Sequence, residues 1–137
     1  MRAFAIAAPL LEQIYAHARE AFPAECCGYV RGNGPEVGDV VRCRNAEVSA
    51  PERGFAIDGR ELFDFARSFE SDRPARVVYH SHPNGRAYFS DTDRRMAIDA
   101  AYPVQHLVVG ITAERVVEVA QFALAGEDVL ELARWEP

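Results

Sequence analysis

Pro74-Ala75-Arg76-Val77-Val78-Tyr79-His80-Ser81-His82-Pro83 decides how the rest of this chain is read. Ala75 to Tyr79 is β-branched and aromatic after a proline, the composition of a buried strand. Side chains at i and i+2 of a strand share a face, so His80 and His82 converge on one point while Ser81 faces away. Pro83-Asn84-Gly85 then breaks the strand. Asp91 to Ala101 reads as a helix with Ser90 at its N-cap, which places Asp93 in the first turn, facing back toward the strand end.

A structural zinc normally takes four protein ligands, whereas a catalytic zinc takes about three and keeps one position for water. His80, His82 and Asp93 suit the second case, and the open position makes hydrolysis possible. A plainer reading uses the same residues: Ser90-Asp91-Thr92-Asp93 fits a helix capping box with Asp in place of Glu or Gln. The two are compatible, because a capping serine can hold the helix while its hydroxyl faces the site. Two same-face imidazoles, a short loop and then a helix-start carboxylate favour the metal. A metal-activated water also needs a base, and Pro23-Ala24-Glu25-Cys26-Cys27-Gly28-Tyr29-Val30 places Glu25 just before a short apolar strand ending in a Gly32-Asn33-Gly34 turn. Taken alone, a glutamate at a strand entry is usually solvated surface.

With Glu25 included, the chain resembles the JAMM (MPN-plus, JAB) metalloproteases, and in particular their small free-standing prokaryotic members. The shared pattern is a Glu on an early strand, His-Ser-His-Pro, a Ser after seven intervening residues, and an Asp three further on. Asn84-Gly85 and the Tyr102-Pro103 turn before Val104-Gln105-His106-Leu107-Val108-Val109 also look like the prokaryotic branch. Phe89 departs from it, since many relatives carry Pro before the Ser. It could loosen that loop or shape the substrate cleft.

The resemblance implies a JAMM/MPN-like (cytidine-deaminase-like) α+β fold, in which His80, His82 and Asp93 hold Zn2+. Glu25 would take a proton from the water that zinc acidifies and pass it to the leaving amine, and Ser90 would donate a hydrogen bond to the oxyanion. The implied activity is a zinc peptidase or isopeptidase cutting after the Gly-Gly-type C-terminal tail of a ubiquitin-like or sulfur-carrier β-grasp protein. The alternatives are a deubiquitinase-like isopeptidase that removes a modifier from target proteins, and a catalytically silent MPN scaffold. His and carboxylate ligands would also accept iron, cobalt or manganese. The resemblance leaves the oligomeric state open, a homodimer included.

At 137 residues and 49% hydrophobic content, the chain can bury one core, and no linker-like segment divides it. The expectation is one domain over 1–137. Strands are expected near 3–7, 26–31, 39–45, 105–111 and 115–124 besides the His-bearing one, and helices over 9–21 and about 59–70 besides the Asp93 helix. Interleaved strands and helices with hairpin-like neighbours give a central mixed sheet flanked by helices.

Met1-Arg2 before Ala3-Phe4-Ala5-Ile6-Ala7-Ala8 superficially resembles a signal peptide, but Pro9 suits the N1 position of an amphipathic helix, and Pro9 and Glu12 favour a first strand and helix. No stretch reaches the roughly 18 apolar residues of a membrane span. Three cysteines, two of them adjacent, make a disulfide framework improbable and point to a reducing, cytoplasmic setting. Nothing in the spacing supports a Cys nucleophile with His17 or His106; His17 is expected on the helix surface and His106 as a hydrogen-bonded strand residue. A net charge of −6 argues against a nucleic-acid partner. All 15 basic residues are Arg, for which codon usage is the plainer cause and lysine avoidance around ubiquitin-like conjugation the sharper one.

Overall fold

The computed structural model describes residues 1–34 and 36–137, with 36 and 37 described by backbone alone. The elements run β1 (Ala5–Ile6), α1 (Ala8–Ala21), β2 (Cys27–Arg31), β3 (Glu36–Val37), β4 (Asp39–Cys43), α2 (Gly59–Ser68), β5 (Ala75–His82), α3 (Asp91–Ala100), β6 (Gln105–Ile111), β7 (Val116–Ala125) and β8 (Asp128–Trp135). β1 pairs with β3, and the other six strands form one sheet in the order β4-β2-β5-β6-β7-β8. Within it β5 and β6 run parallel and every other pair is antiparallel. Parallel neighbours require a crossover, and α3 lies in that connection. The mixed α+β sheet flanked by helices is as the sequence predicts.

Alternation along the strands sorts the sheet into two faces. Val77 and Tyr79 of β5 and Leu107 and Val109 of β6 join Ile14, Tyr15 and Ala18 of α1 in one hydrophobic cluster. Each large side chain buried there is worth about 1.5–3 kcal/mol. On the opposite face Val78, Cys27 and Tyr29 meet Phe65 of α2. His80 and His82 share that second face with Val78, which puts them on the side of α2 and α3. Cys26 and Cys27 therefore belong to different clusters, and both are buried.

Two expectations are corrected. Asp128–Trp135, not assigned to any element from the sequence, is the edge strand β8, turned back on β7 at Gly126 (φ 65°). Its Val-Leu-Glu-Leu-Ala-Arg run is rich in good helix formers, and pairing with β7 overrides that local preference. His17 is half-buried rather than a surface residue, because its Nδ1 lies 2.6 Å from the hydroxyl of fully buried Tyr79. The remaining strands and helices fall where the pattern places them, with ends shifted by at most two residues and the two-residue β3 unforeseen.

The chain turns sharply after His82. Gly85 takes φ 79°, and the turn runs so close over β6 that a Cβ on Gly110 would meet the backbone of Gly85 and Arg86 at 2.6–2.7 Å. Gly110 stands opposite His82 in the parallel register, so it sets how the chain leaves the site. Gly110→Ala is expected to cost about 1–3 kcal/mol in urea unfolding. It should also displace the turn, seen as a shift of the His82 ring resonances in NMR spectra; an unchanged midpoint and unchanged resonances would show that the turn has slack.

Candidate metal centre

Three segments distant in sequence meet at the end of β5. Cys27 pairs with His80 across β2 and β5, and Ser81 locks the approach to β2: its Oγ accepts from Cys26 N–H at 2.8 Å, and its own N–H donates to Cys26 C=O at 3.2 Å. Ser81 thus secures neighbouring backbone, as expected for a residue pointing off the histidine face. Glu25, one residue before Cys26, is pinned through its main chain: its N–H donates to Pro51 C=O (2.7 Å), and its C=O accepts from Asn45 Nδ2 (3.1 Å). Its side chain is buried, and among the described residues Oε1 has no hydrogen-bond partner.

The second segment begins helix α3. Ser90 Oγ accepts from Asp93 N–H at 3.0 Å, and Asp93 Oδ2 accepts from Ser90 N–H at 3.1 Å, a reciprocal capping box. The same Oδ2 lies 3.1 Å from His80 Nε2 and 3.2 Å from His82 Nε2, and the two Nε2 atoms are 3.2 Å apart. The structure therefore brings together all five residues that the motif singles out. Ser90 Oγ spends a lone pair on the cap and keeps its O–H free to donate.

A buried triangle of two imidazole nitrogens and a carboxylate oxygen suits an ion better than protons. Two Nε2–H groups aimed at one oxygen would crowd each other at 3.2 Å. Tetrahedral zinc with bonds of about 2.0–2.1 Å would separate its ligand atoms by about 3.3 Å, close to all three edges. Glu25, His80 and His82 also form a buried group whose ligand atoms lie within 4.8 Å of one another and could hold a metal ion. Glu25 thus brings a carboxylate oxygen close to two of the three members of the triangle. His82 Nδ1 is 3.3 Å from Arg86 C=O, which favours Nε2 as its metal-binding atom. His80 Nδ1 has no partner among the described residues, and its ring is stacked on Phe55 at 4.6 Å.

Burial dominates the electrostatics. It pushes Glu25 up to about 7, helped by the Asp93 charge and opposed by His82. It pushes fully buried His80 down. His82 feels the same burial, but the Asp93 carboxylate outweighs it and the net direction is upward. Asp93 stays ionised well below the usual carboxylate range, because contacts with both histidines overcome its burial. Cys26 is pushed up to about 11 and Cys43 to about 12 by burial, so neither thiol is a nucleophile at neutral pH.

The sequence did not reveal what holds the loop from His82 to Ser90. Glu118 Oε1 of β7 accepts from Ala87 N–H (2.9 Å), Arg134 of β8 donates to Ala87 C=O (2.7 Å), and Arg134 pairs with Glu118 (2.8 Å). Tyr88 leans over His82 with ring centroids 4.7 Å apart. No local signal marks Arg134, because its partners lie on other strands. His106 lies in β6 as expected, but among the described residues its ring has no hydrogen-bond partner. The ring packs against Phe89 at 5.1 Å, and burial holds it down to about 4.

Residues 7–124 match the family model described as prokaryotic homologs of the JAB domain. A Mycobacterium tuberculosis protein named CysO-cysteine peptidase is 34% identical over 113 residues, covering 80% of this chain and 73% of its own length. A solution structure from Desulfitobacterium hafniense superposes with a TM-score of 0.72 at 28% identity, covering 92% of this chain and 87% of that one. A JAB1/MPN domain protein from Archaeoglobus fulgidus shares the fold (TM-score 0.53, 19% identity, 80% and 77% covered).

Glu25 has an unfolded value near 4.5 and a folded value of about 7, so folding favours its neutral form. Its contribution to the stability of metal-free protein is complete below about pH 4.5 and is lost as pH rises through about 7. In urea unfolding with chelator present, wild type should lose stability relative to Glu25→Gln across that window. Parallel pH profiles for the two would show that Glu25 ionises unhindered.

Proposed function

Because the chain belongs to the prokaryotic homologs of the JAB domain, we propose that it is a zinc-dependent peptidase, formed by residues 1–137 as one domain. Its substrate is a sulfur-carrier or ubiquitin-like β-grasp protein, cleaved after a Gly-Gly-type C-terminal tail. The observation that carries the proposal is the 3.1–3.2 Å triangle of His80, His82 and Asp93 with the unpartnered Glu25 oxygen beside it. The name of the mycobacterial relative supports a carrier substrate. Three buried free thiols suit a cytoplasmic setting, and among the described residues no helix is long and apolar enough to cross a membrane.

His80, His82 and Asp93 are the metal ligands, and Glu25 is the base. The 3.1–3.2 Å edges that Asp93 makes with both histidines fit a ligand sphere, and Glu25, whose carboxylate lies near the same two histidines, is left to act as the base. Zinc held there would polarise the scissile carbonyl and lower the pKa of water to about 7. Glu25, a buried carboxylate beside the two histidines, is placed to take a proton and return it. It accepts one from the attacking water as the oxygen bonds to the carbonyl carbon, then delivers it to the amine nitrogen as the C–N bond breaks. The products are a carboxylate and a free amine. Ser90 Oγ–H donates to the developing oxyanion while the helix cap fixes its position. A silent scaffold has no need for an unpaired buried carboxylate at this point.

The test pairs metal content with cleavage of a β-grasp carrier bearing a residue or peptide after Gly-Gly, including a carrier–cysteine adduct. Glu25→Gln should keep zinc and lose about 10²–10⁴ in kcat, and Asp93→Asn should lose zinc. Zinc lost with Glu25→Gln and kept with Asp93→Asn would exchange the two roles, and full activity in Glu25→Gln would refute the mechanism. Ser90→Ala should lower kcat by about 10²–10³ and stability by about 1 kcal/mol from the missing cap, measured by steady-state kinetics and urea unfolding.

A further inference from the structure

Between α3 and the sheet lies a cavity of about 290 Å³ that the chemistry does not use. His80 and Asp93 wall one end, and from there it follows Met96, Ala97 and Ala100 of α3. Positions 93, 96, 97 and 100 form one face of a helix. Facing them are Phe65 of α2 and Phe55 from the preceding loop, over a floor that includes Val78 and His106. A core-facing helix normally covers such a stripe, yet Met96 is 41% exposed, and Asp93 is the one buried residue of α3. Beyond the metal ligands, the lining carries no charge at neutral pH, since burial holds His106 far below its ordinary value.

The cavity lies on one side of the ligand triangle. His80 and Asp93 line it, whereas His82 and Glu25 do not. Under the proposed function, on which this inference rests for its substrate, Glu25 gives its proton to the leaving amine. The amine therefore departs on the Glu25 side, and the cavity runs beneath the acyl segment. From Asp93 to Ala100 is seven residues, about 10 Å along the helix, which three residues of extended peptide would span at about 3.3 Å each. Two glycines occupy the stretch nearest the ligands, and the next side chain lies beside Met96, Ala97 and Ala100. A cavity of about 150 Å³ accepts benzene, so this one has room for a large aliphatic or aromatic side chain.

We propose that the cavity under α3 is the subsite for the third residue back from the cleaved bond, and that it selects a large, uncharged, apolar side chain such as Leu, Met or Phe. Peptide preference thus comes mainly from the carrier tail rather than from the group released. Labelled hexapeptides ending X-Gly-Gly-COOH, titrated into zinc-loaded wild-type protein by fluorescence anisotropy, test this without requiring turnover. Leu or Phe at X should bind about 10- to 100-fold more tightly than Gly or Asp, and the Leu peptide should shift the Met96 methyl resonance. Ala97→Phe, checked for an unchanged melting temperature, should erase the preference, and a side-chain scan of X on wild type gives the same answer with no variant. Equal affinity for all X would overturn the subsite, as would an undiminished preference in Ala97→Phe. Carrier cleavage without preference at X sinks this inference and leaves the peptidase standing; preference at X without cleavage of any carrier does the reverse.

Discussion

One carboxylate oxygen ties the molecule together at its site. Asp93 Oδ2 accepts the Ser90 N–H that starts α3 and lies within 3.1–3.2 Å of both imidazole nitrogens at the end of β5. The helix start and the strand end are thus held by the same atom. In water such an arrangement would be worth little, but here the histidines and Asp93 are buried. Low local polarity strengthens each contact and raises the cost of leaving any one of them unmade. An ion held in the triangle would satisfy all three groups together.

Everything else supports that constraint from outside. The parallel pairing of β5 and β6 sends the chain through α3, so Asp93 returns over the same end of the sheet that His80 and His82 reach. Gly110 lets the turn after His82 lie against β6. Glu118 and Arg134, from the last two strands, hold the main chain of Ala87 midway between His82 and Ser90. As exposed ion pairs these contribute about 0–1 kcal/mol to stability, so their role is positional. β8, an edge strand, bears on the site through Arg134.

The helix that supplies Asp93 also leaves space beneath itself. α3 is anchored at its first turn, and small Ala97 and Ala100 face the sheet across a gap where larger side chains would close it. Filling the gap would bury more apolar surface and add stability. An open groove beside the proposed ligands is where such stability would be exchanged for binding.

The five residues proposed for the site could be picked out in the sequence because each sits on a local pattern. His80 and His82 have the two-residue period of a strand, Ser90 and Asp93 the spacing of a cap, and Glu25 the approach to a glycine-bearing strand. The same periodicities gave the mixed sheet and most of its elements. What local pattern could not supply was anything dependent on a distant partner. β8 has helix-forming residues and becomes a strand only because β7 offers an unpaired edge. His17 is drawn inward by a hydroxyl 62 positions away, and Arg134 reaches a carbonyl 47 positions away. The sequence alone thus determined which groups could meet at a metal and the periodicity that aims them. Only the tertiary structure decided that Glu25 is buried enough to titrate near 7, that the ligand edges match an ion, and that α3 stands off the sheet over a cavity. Burial, distance and empty volume are properties of packed neighbours, and no stretch of chain contains them by itself.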